Sequence, residues 1–389
     1  GTALDLAARG VDLPERQRTL RATLDWSHDL LDVDEQRLLA HLSVLPGGAT
    51  LDAIEEVCAP DGDAEDALAG LLDKSLLVVA EGTDEPRFRM LEPVRQYARE
   101  RLDERGDGDE VRARLFRRFA RTGRTAQPFL CGPRQREWAE RFDAERANIR
   151  AAVDAGLALG ELEATARFAW DTLVYFYIRD GLDEPRAWFL ELNAHRDSLS
   201  EVGTALVDLG LVTMDADAGI VADAHARLIE IAGLFSDQGL ALEAGVSLHY
   251  LGMRRWYAGE QEAGIETLRE ASAAYARIDH DWGVAAVQLT LGAVASAGGS
   301  YAQAREHFGT SLEHSRRIDN HPQMAQALQC LALADAVDGR TEDAWESLEE
   351  AAELVTGGRS ITAVSYCLEA LAAVDMASGR PEHAARALA

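Results

Sequence analysis

The single lysine of this 389-residue chain is Lys74, and Asp73 precedes it. A phosphate-cradling loop needs glycines for close backbone approach and a lysine after the last of them, so that chemistry is excluded. The four cysteines, Cys58, Cys131, Cys330 and Cys367, are far apart and form no CxxC or Cys/His spacing. Neither a disulfide framework nor a zinc module fits such a pattern. His307 and His314 share a helix face seven residues apart, but no third ligand is near in sequence, so both are expected to be surface histidines. No GxSxG elbow or Cys/His nucleophile arrangement stands out. Asp and Glu number 67, too many for one pair to be singled out as acid and base. The chain is therefore not read as an enzyme, and no metal or cofactor is expected within it.

Charge narrows the partners. The net charge of −28 repels nucleic acid over most of the surface. One band breaks the trend: Arg87 to Arg124 holds twelve Arg against seven acids. That band is either a solvated helix face or a docking surface for an acidic domain of the same protein. An apolar content of 47% excludes wholesale disorder. No apolar run approaches the ~18 residues of a membrane span, and the first thirty residues have no signal-peptide pattern. A reducing cytoplasm is the expected compartment, with no membrane partner. The chain starts at Gly1 and stops at Ala389 inside a helical pattern, and is expected to be a piece of a larger protein.

The elements that must position any site are repetitive. Gly219, Gly259, Gly299, Gly339 and Gly379 follow one another at forty residues. Eight before each stands Leu211, Leu251, Leu291, Leu331 or Leu371; five after each stands a small residue, Ala224, Gly264, Ala304, Ala344 or Ala384. Nine after each stands Leu228, Leu268, Phe308, Leu348 or Leu388. The small residue lets two antiparallel helices approach, and the bulky one four positions on shares its face. Glycine ends the first helix because it tolerates a left-handed cap. One such hairpin cannot bury its apolar face, so hairpins stack. Weaker copies run upstream through Gly181 and Gly160.

Residues 14–102 do not repeat. Pro14 marks a helix start, and two amphipathic helices are parted by the turn Asp32 to Asp34. "LDAIEEVC" and "AEDALAGLLDKS" predict two more helices, "LLVVAEG" and "PRFRML" two short strands, and "EPVRQYARERLDERGD" a closing helix ending at Gly106. Helices, a β-ribbon and a closing helix make a winged helix. The fold class is thus predominantly all-α: a winged-helix domain with a short β-hairpin, then an α-solenoid of helix hairpins. The expected division is 1–13 as the end of a preceding region, 14–106 as the winged helix, 107–144 as a basic helical connector, and 145–389 as repeats.

Two resemblances extend this reading. The columns resemble the tetratricopeptide pattern, with small residues again at Ala271, Ser311 and Ala351. The usual closing proline is missing and the period exceeds the common ~34, so helices or loops must be longer. The text "RQRTLRATLDWSHDLLDVDEQRLLAHLSVLPGGATLDAIEEVC…LLDKSLLV…RFRMLEPVRQYARERL" resembles the segment that follows the nucleotide-binding core in bacterial signal-transduction NTPases with numerous domains. These are the large ATP-binding regulators related to LuxR-type and SARP-type transcription factors. The resemblance implies a parent protein with an effector domain and a core that binds ATP or ADP. In it the winged helix would hold the core, and the repeats would sense a partner or inducer. Where that family often has Met-His-Asp in contact with ADP, this chain has Met90, Leu91 and Glu92. Leucine donates no hydrogen bond, so a structural duty is expected of Leu91, while Glu92 could cap the following helix.

The tetratricopeptide resemblance also places a groove, at thirteen, ten, six, three and two residues before each turn glycine. Those offsets give Tyr175 and Ile178; His249, Met253, Trp256 and Tyr257; Gln326, Gln329 and Leu333; and Tyr366 and Met376. Such an aromatic, neutral lining suits an apolar small molecule or an amphipathic helix of a protein or peptide better than a free carboxylate. Because adjacent helical residues diverge by ~100°, at least one ring of Trp256 and Tyr257 is expected to remain exposed. Direct DNA binding is not expected: the third helix of the winged helix, near "DGDAEDALAGLLDKS", would face phosphates with carboxylates. The reading is a regulatory and sensor module of such an NTPase. The alternative is a scaffold or oligomerisation module without sensing.

Overall fold

The computed structural model describes residues 20–60, 62, 64–80, 85–214, 223–356, 361–377 and 379. The turn at Gly219, the column members Ala384 and Leu388, the helix start at Pro14 and the stretch 1–13 lie outside the described residues. By contacts the chain forms two compact units, one of residues 1–123 with 141–168 and the other of 124–140 with 169–389.

In the first unit α1 (Leu20–Asp29), α2 (Val33–Leu42), α3 (Leu51–Cys58) and α4 (Glu65–Asp73) precede β1 (Val78–Ala80), β2 (Arg87–Arg89) and α5 (Glu92–Arg105). Helix α2 starts where Asp32 accepts from the Asp34 and Glu35 amides while Glu35 reaches back to the Asp32 amide, a reciprocal cap. Strands β1 and β2 pair antiparallel, Val79 opposite Phe88, and Ala49 bridges the other edge of β2. Helix α5 ends at Gly106, whose φ of 81° is left-handed. Leu39, Ile54, Val57, Leu71, Ala98 and Leu102 form a fully buried core. Two long helices, α6 (Gly108–Leu130) and α7 (Gln135–Ala158), and then α8 (Leu162–Ile178) follow. Apart from Asp107 and the turn at 131–134, the stretch 107–144 is helix: it forms α6 and the start of α7, and it belongs partly to each unit.

The second unit continues with α9 (Asp183–Ala194), a one-turn 3-10 segment, α10 (Glu201–Met214), α11 (Ala224–Asp237), α12 (Ala241–Tyr257), α13 (Gln261–Ala276), α14 (Asp281–Ala297), α15 (Tyr301–Arg317), α16 (His321–Val337), α17 (Thr341–Thr356) and α18 (Ile361–Ala377). Gly259, Gly299, Gly339 and Gly379 take φ of 90°, 75°, 77° and 74°, the left-handed turn that the forty-residue column anticipates. The small column is sealed: Ala304 and Ala344 are fully buried, and a Cβ on Gly264 would lie 2.8 Å from the Trp256 backbone nitrogen. Leu268, Phe308 and Leu348 are buried beside it, as are Ala271, Ser311 and Ala351.

The long period has a plain cause. Helices α14, α15 and α16 each run 17 residues, and three residues join each to the next, so the length beyond ~34 extends the helices. A second left-handed column, unread in the sequence, makes the turn between hairpins: Gly239 at 73°, Asp279 at 51° and Asp319 at 52°. Aspartate tolerates that conformation better than most residues, which is why glycine is not required there. Upstream the register loosens: near Gly181 the left-handed residue is Asp180, while Gly160 turns α7 into α8.

Candidate functional site

The first helices of the hairpins carry the groove positions, and stacking sorts them. Tyr175 is fully buried, its ring edge-on to Phe176 at 4.9 Å, and Ile178 is half-buried. Gln329 is also buried, donating from Nε2 to the Cys367 Sγ at 2.8 Å on α18. Tyr175 and Gln329 are thus packing residues and not lining. The physical reason is that a first helix faces the first helices of adjacent hairpins as well as its own partner, so a fixed offset from the turn does not fix exposure.

His249 is committed as well: its Nε2 is 2.8 Å from the Thr290 Oγ1 on α14, whose own proton goes to the Ala286 carbonyl. Burial pushes the His249 pKa down to about 4, so the ring is neutral and donates through Nε2. Met253 and Trp256 pack against the buried cluster of Leu268, Tyr275 and Val287. Tyr257 is the exposed ring, 75% open, and stands edge-on to Trp256 at 5.1 Å. Gln326, Leu333 and Met376 are exposed, and the side chain of Tyr366 lies outside the described residues. Val337 is exposed too and shares the column of Tyr257, two before the glycine. Tyr177, exposed at the end of α8, fits none of the five offsets.

The two histidines seven apart join α15 to α14. His307 Nδ1 is 2.7 Å from Gln288 Oε1, and His314 Nδ1 is 2.5 Å from Asp281 Oδ1, both partners on α14. Among the described residues no group of three His, Cys, Asp or Glu is placed to hold a metal ion.

The winged helix offers a second surface. The helix that leads into its wing is α4, which exposes Glu65, Asp66, Ala69 and Asp73. Lys74, at its end, donates to Glu35 at 2.6 Å. The wing is fastened. Arg87 is buried, donating to Glu145 on α7 at 2.5 Å and to the Gly48 carbonyl at 2.9 Å. Buried Asn148 accepts from the Gly47 amide and donates to the Gly48 carbonyl, both at 2.8 Å. Met90 is half-buried, Leu91 is 57% exposed and makes no side-chain cap, and Glu92 pairs with Arg95 at 2.7 Å instead of capping α5.

Most of the arginine band is spent locally. Arg118 and Arg121 both bind Glu56 on α3, Arg118 also binds Asp52, and Arg114 donates to the Val57 carbonyl at 2.7 Å. Arg112 pairs with Asp103 and Asp109. Burial would raise the Glu56 pKa, but the two arginines outweigh it and hold the carboxyl below its usual value. The band thus ties α6 to α3, a use that neither sequence reading of it contained.

Residues 31–103 match the family model of the winged helix-turn-helix domain, and residues 283–357 match that of the tetratricopeptide repeat. A Mycobacterium tuberculosis protein named as an HTH-type transcriptional regulator is 34% identical over 179 residues, which cover 45% of this chain and 20% of that protein. An uncharacterised protein of the same species is 43% identical over 103 residues, 25% of this chain and 26% of its own length. The chain spans about a fifth to a quarter of the curated relatives it matches. A solved Pyrococcus horikoshii protein, described as a signal-transduction ATPase with numerous domains and a tetratricopeptide repeat sensor, aligns over 97% of this chain and 64% of its own. Its identity is 14% and its TM-score 0.43, too loose a likeness to argue from. Among the described residues no helix is long and apolar enough to cross a membrane. The chain is a winged helix-turn-helix domain followed by tetratricopeptide-like helical repeats.

Proposed function

We propose that this chain is the regulatory and sensor module of a signal-transduction NTPase that controls transcription in the bacterial cytoplasm. In this reading the winged helix governs a nucleotide-binding core outside these residues, and the repeats bind a protein, peptide or small-molecule inducer. The observation that carries it is the mismatch between the winged helix's fold and its surface. A DNA reader lays its third helix in the major groove with basic or amide side chains. Here α4 exposes carboxylates and the wing is held by α7, which supports a protein-facing use.

In this reading ATP and ADP are held by the proposed core and not by this module, which the engagement of Lys74 by Glu35 and the lack of a donor on Leu91 support. The repeats supply exposed Tyr257, Leu333, Val337 and Met376 at the ends of first helices, a neutral apolar set suited to an apolar partner.

Three measurements test the reading. Calorimetry with ATP and Mg²⁺ is expected to give no heat with this chain, and micromolar affinity would overturn the assignment of nucleotide to a separate core. Mobility shifts on duplex DNA are expected to fade with added salt. A salt-resistant, sequence-dependent shift would make the winged helix a DNA reader. In the intact protein, deletion of 169–389 is expected to abolish response to the inducer, and an unchanged response would favour the scaffold.

A further inference from the structure

Helix α1 carries apolar residues on two sides. The inner side closes on α5: Leu24 is buried, His28 stands edge-on to Tyr97 at 5.8 Å, and the Tyr97 hydroxyl donates to Asp25 at 3.0 Å. The outer side is open. Trp26 is 48% exposed, Leu30 56% and Val33 76%. Trp26 and Leu30 are four residues apart, about one helical turn, and Val33 opens α2 three residues later. The link between the helices is held in place. The Leu30 and Leu31 amides donate to the Ser27 and His28 carbonyls, and the Gln36 side chain donates to the His28 and Leu31 carbonyls at 3.1 and 3.2 Å. Scattered exposed apolar side chains are ordinary, but a Trp, a Leu and a Val on one short fixed stretch make a patch.

The patch is set among aspartates. Asp25, Asp29, Asp32 and Asp34 are all exposed, and no Lys or Arg lies between Ala22 and Gln36. Asp25 accepts from Tyr97, Asp32 caps α2, and Asp34 pairs with Arg37 at 2.9 Å. Asp29 makes no hydrogen bond or ion pair among the described residues. Only Asp34 of the four is met by a cation, so the apolar side chains lie in a negative field.

That charge selects the occupant. A second copy of this face would bring aspartate against aspartate, and nucleic acid or an anionic membrane would be repelled. A helix with an apolar ridge between arginines or lysines matches both features. Its ridge meets Trp26 and Leu30, while its long cationic side chains reach the aspartates and cover the rim with their methylenes. Tryptophan is a frequent anchor of such contacts. We propose that Trp26, Leu30 and Val33 are the docking face for a basic amphipathic helix supplied by the nucleotide-binding core. This rests on the proposed function, in which the winged helix governs a core outside these residues, and it names the surface and the chemistry of that contact.

The test uses the full chain and a fluorescently labelled synthetic helix of roughly 18 residues, with leucines along one face and arginines on both flanks. One control peptide carries glutamates in place of the arginines. A second keeps the composition but spreads the leucines around the helix. Anisotropy reads affinity, and hydrogen exchange reads the place of binding. The expected result is binding of the arginine-flanked peptide, about tenfold weaker binding of each control, and new protection confined to residues 20–37. Leu30→Ser and Asp29→Arg are each expected to weaken binding about tenfold at an unchanged melting temperature. Glu262→Arg, which reverses an exposed acid on α13, should leave it unchanged. No binding by the wild type, equal binding of either control, wild-type affinity in Leu30→Ser and Asp29→Arg, or an equal loss in Glu262→Arg overturns the docking face. A dimer of the chain that Leu30→Ser dissolves gives the face to a second copy and overturns it too. If regulation in the intact protein still requires ATP and residues 169–389 after such a result, the docking face has failed and the proposed function has not.

Discussion

The winged-helix unit and the repeat unit differ in what sets their architecture. The first uses side-chain clasps that occur once each: Arg87 on Glu145 and the Gly48 carbonyl, Asn148 on Gly47 and Gly48, Lys74 on Glu35, and His41 between the Cys58 carbonyl and Asp107. The second uses a recurring backbone: left-handed turns, a small residue where helices cross, and a large one beside it. A clasp fixes a surface, because every partner is named. A recurring backbone frees its remaining positions to vary, so binding chemistry can accumulate there without unfolding the array.

The clasp side of this contrast is expected to be the more fragile to single changes. Arg87→Met removes the cation from the Glu145 carboxylate and a donor from the Gly47, Gly48 and Ala144 carbonyls, and about 3 kcal/mol of stability should be lost. Segment-resolved hydrogen exchange should rise at residues 47–49, 87–89 and 144–148. A loss below ~1 kcal/mol would mean that the clasp does not hold the wing.

In the repeats the largest single cost should come from overpacking the small column. Ala344 is fully buried against Leu348, Ala332 and Ala336, and Ala344→Leu should cost about 1–3 kcal/mol. Exchange should rise in α16 to α18 and not in α12. A wild-type melting temperature would show that the small column is not what sets the helix approach.

Acid should separate the units by their titrating groups. His249 and His280 are held by burial near a pKa of about 4, against about 6.5 in an unfolded chain. The unfolded state therefore binds more protons between those values. Their contribution is intact above pH ~6.5 and lost as pH falls toward 4, by at most ~1.4 kcal/mol per pH unit for each histidine. In the winged-helix unit burial raises Glu56 and Asp107, but Arg121 and Arg118 on the first, and His41 and Arg105 on the second, hold both below their usual values. Their contribution is present above the ordinary carboxylate pKa and lost only as pH falls through the lowered ones. On acidification the repeats should loosen first, and His280→Asn should flatten their slope. If exchange, corrected for intrinsic rate, rises first in residues 31–103, the assignment of the two windows is wrong.

The smallest effect distinguishes two neighbouring rings. Tyr257→Ala removes a side chain 75% exposed and should change stability by less than ~0.5 kcal/mol. Trp256→Ala opens the cluster around Leu268 and should cost several times more. Tyr257 is then the clean probe of partner binding. Equal destabilisation by both would place Tyr257 in the core and remove the exposed rim.

Much of this was legible in one dimension. The order of helices and strands from α1 to α5 follows from local patterning, because caps such as Asp32 and Gly106 and the two short strand runs of the wing are short-range signals. The forty-residue columns gave the turns, the helix approach and the buried bulky residues, because each is set by neighbours within one hairpin. Even the second turn, at Gly239, Asp279 and Asp319, left its forty-residue trace and was missed only because it mixes glycine with aspartate.

What the sequence by itself determined is therefore the local and periodic part: the winged helix, the hairpin, its period, and the absence of a P-loop. Which groove-column side chains stay open was decided by tertiary structure. Tyr175 and Gln329 occupy groove offsets yet are buried, while Tyr177 and Val337 are open, because each first helix meets others a repeat or more away. The arginine band needed the same information, since Glu56 lies sixty-two residues from Arg118. His280 is the sharpest case. Its cap is a local bond that the sequence position explains, but the shielding of its Nε2 depends on the fold that packs Tyr275 and Trp282 against the ring.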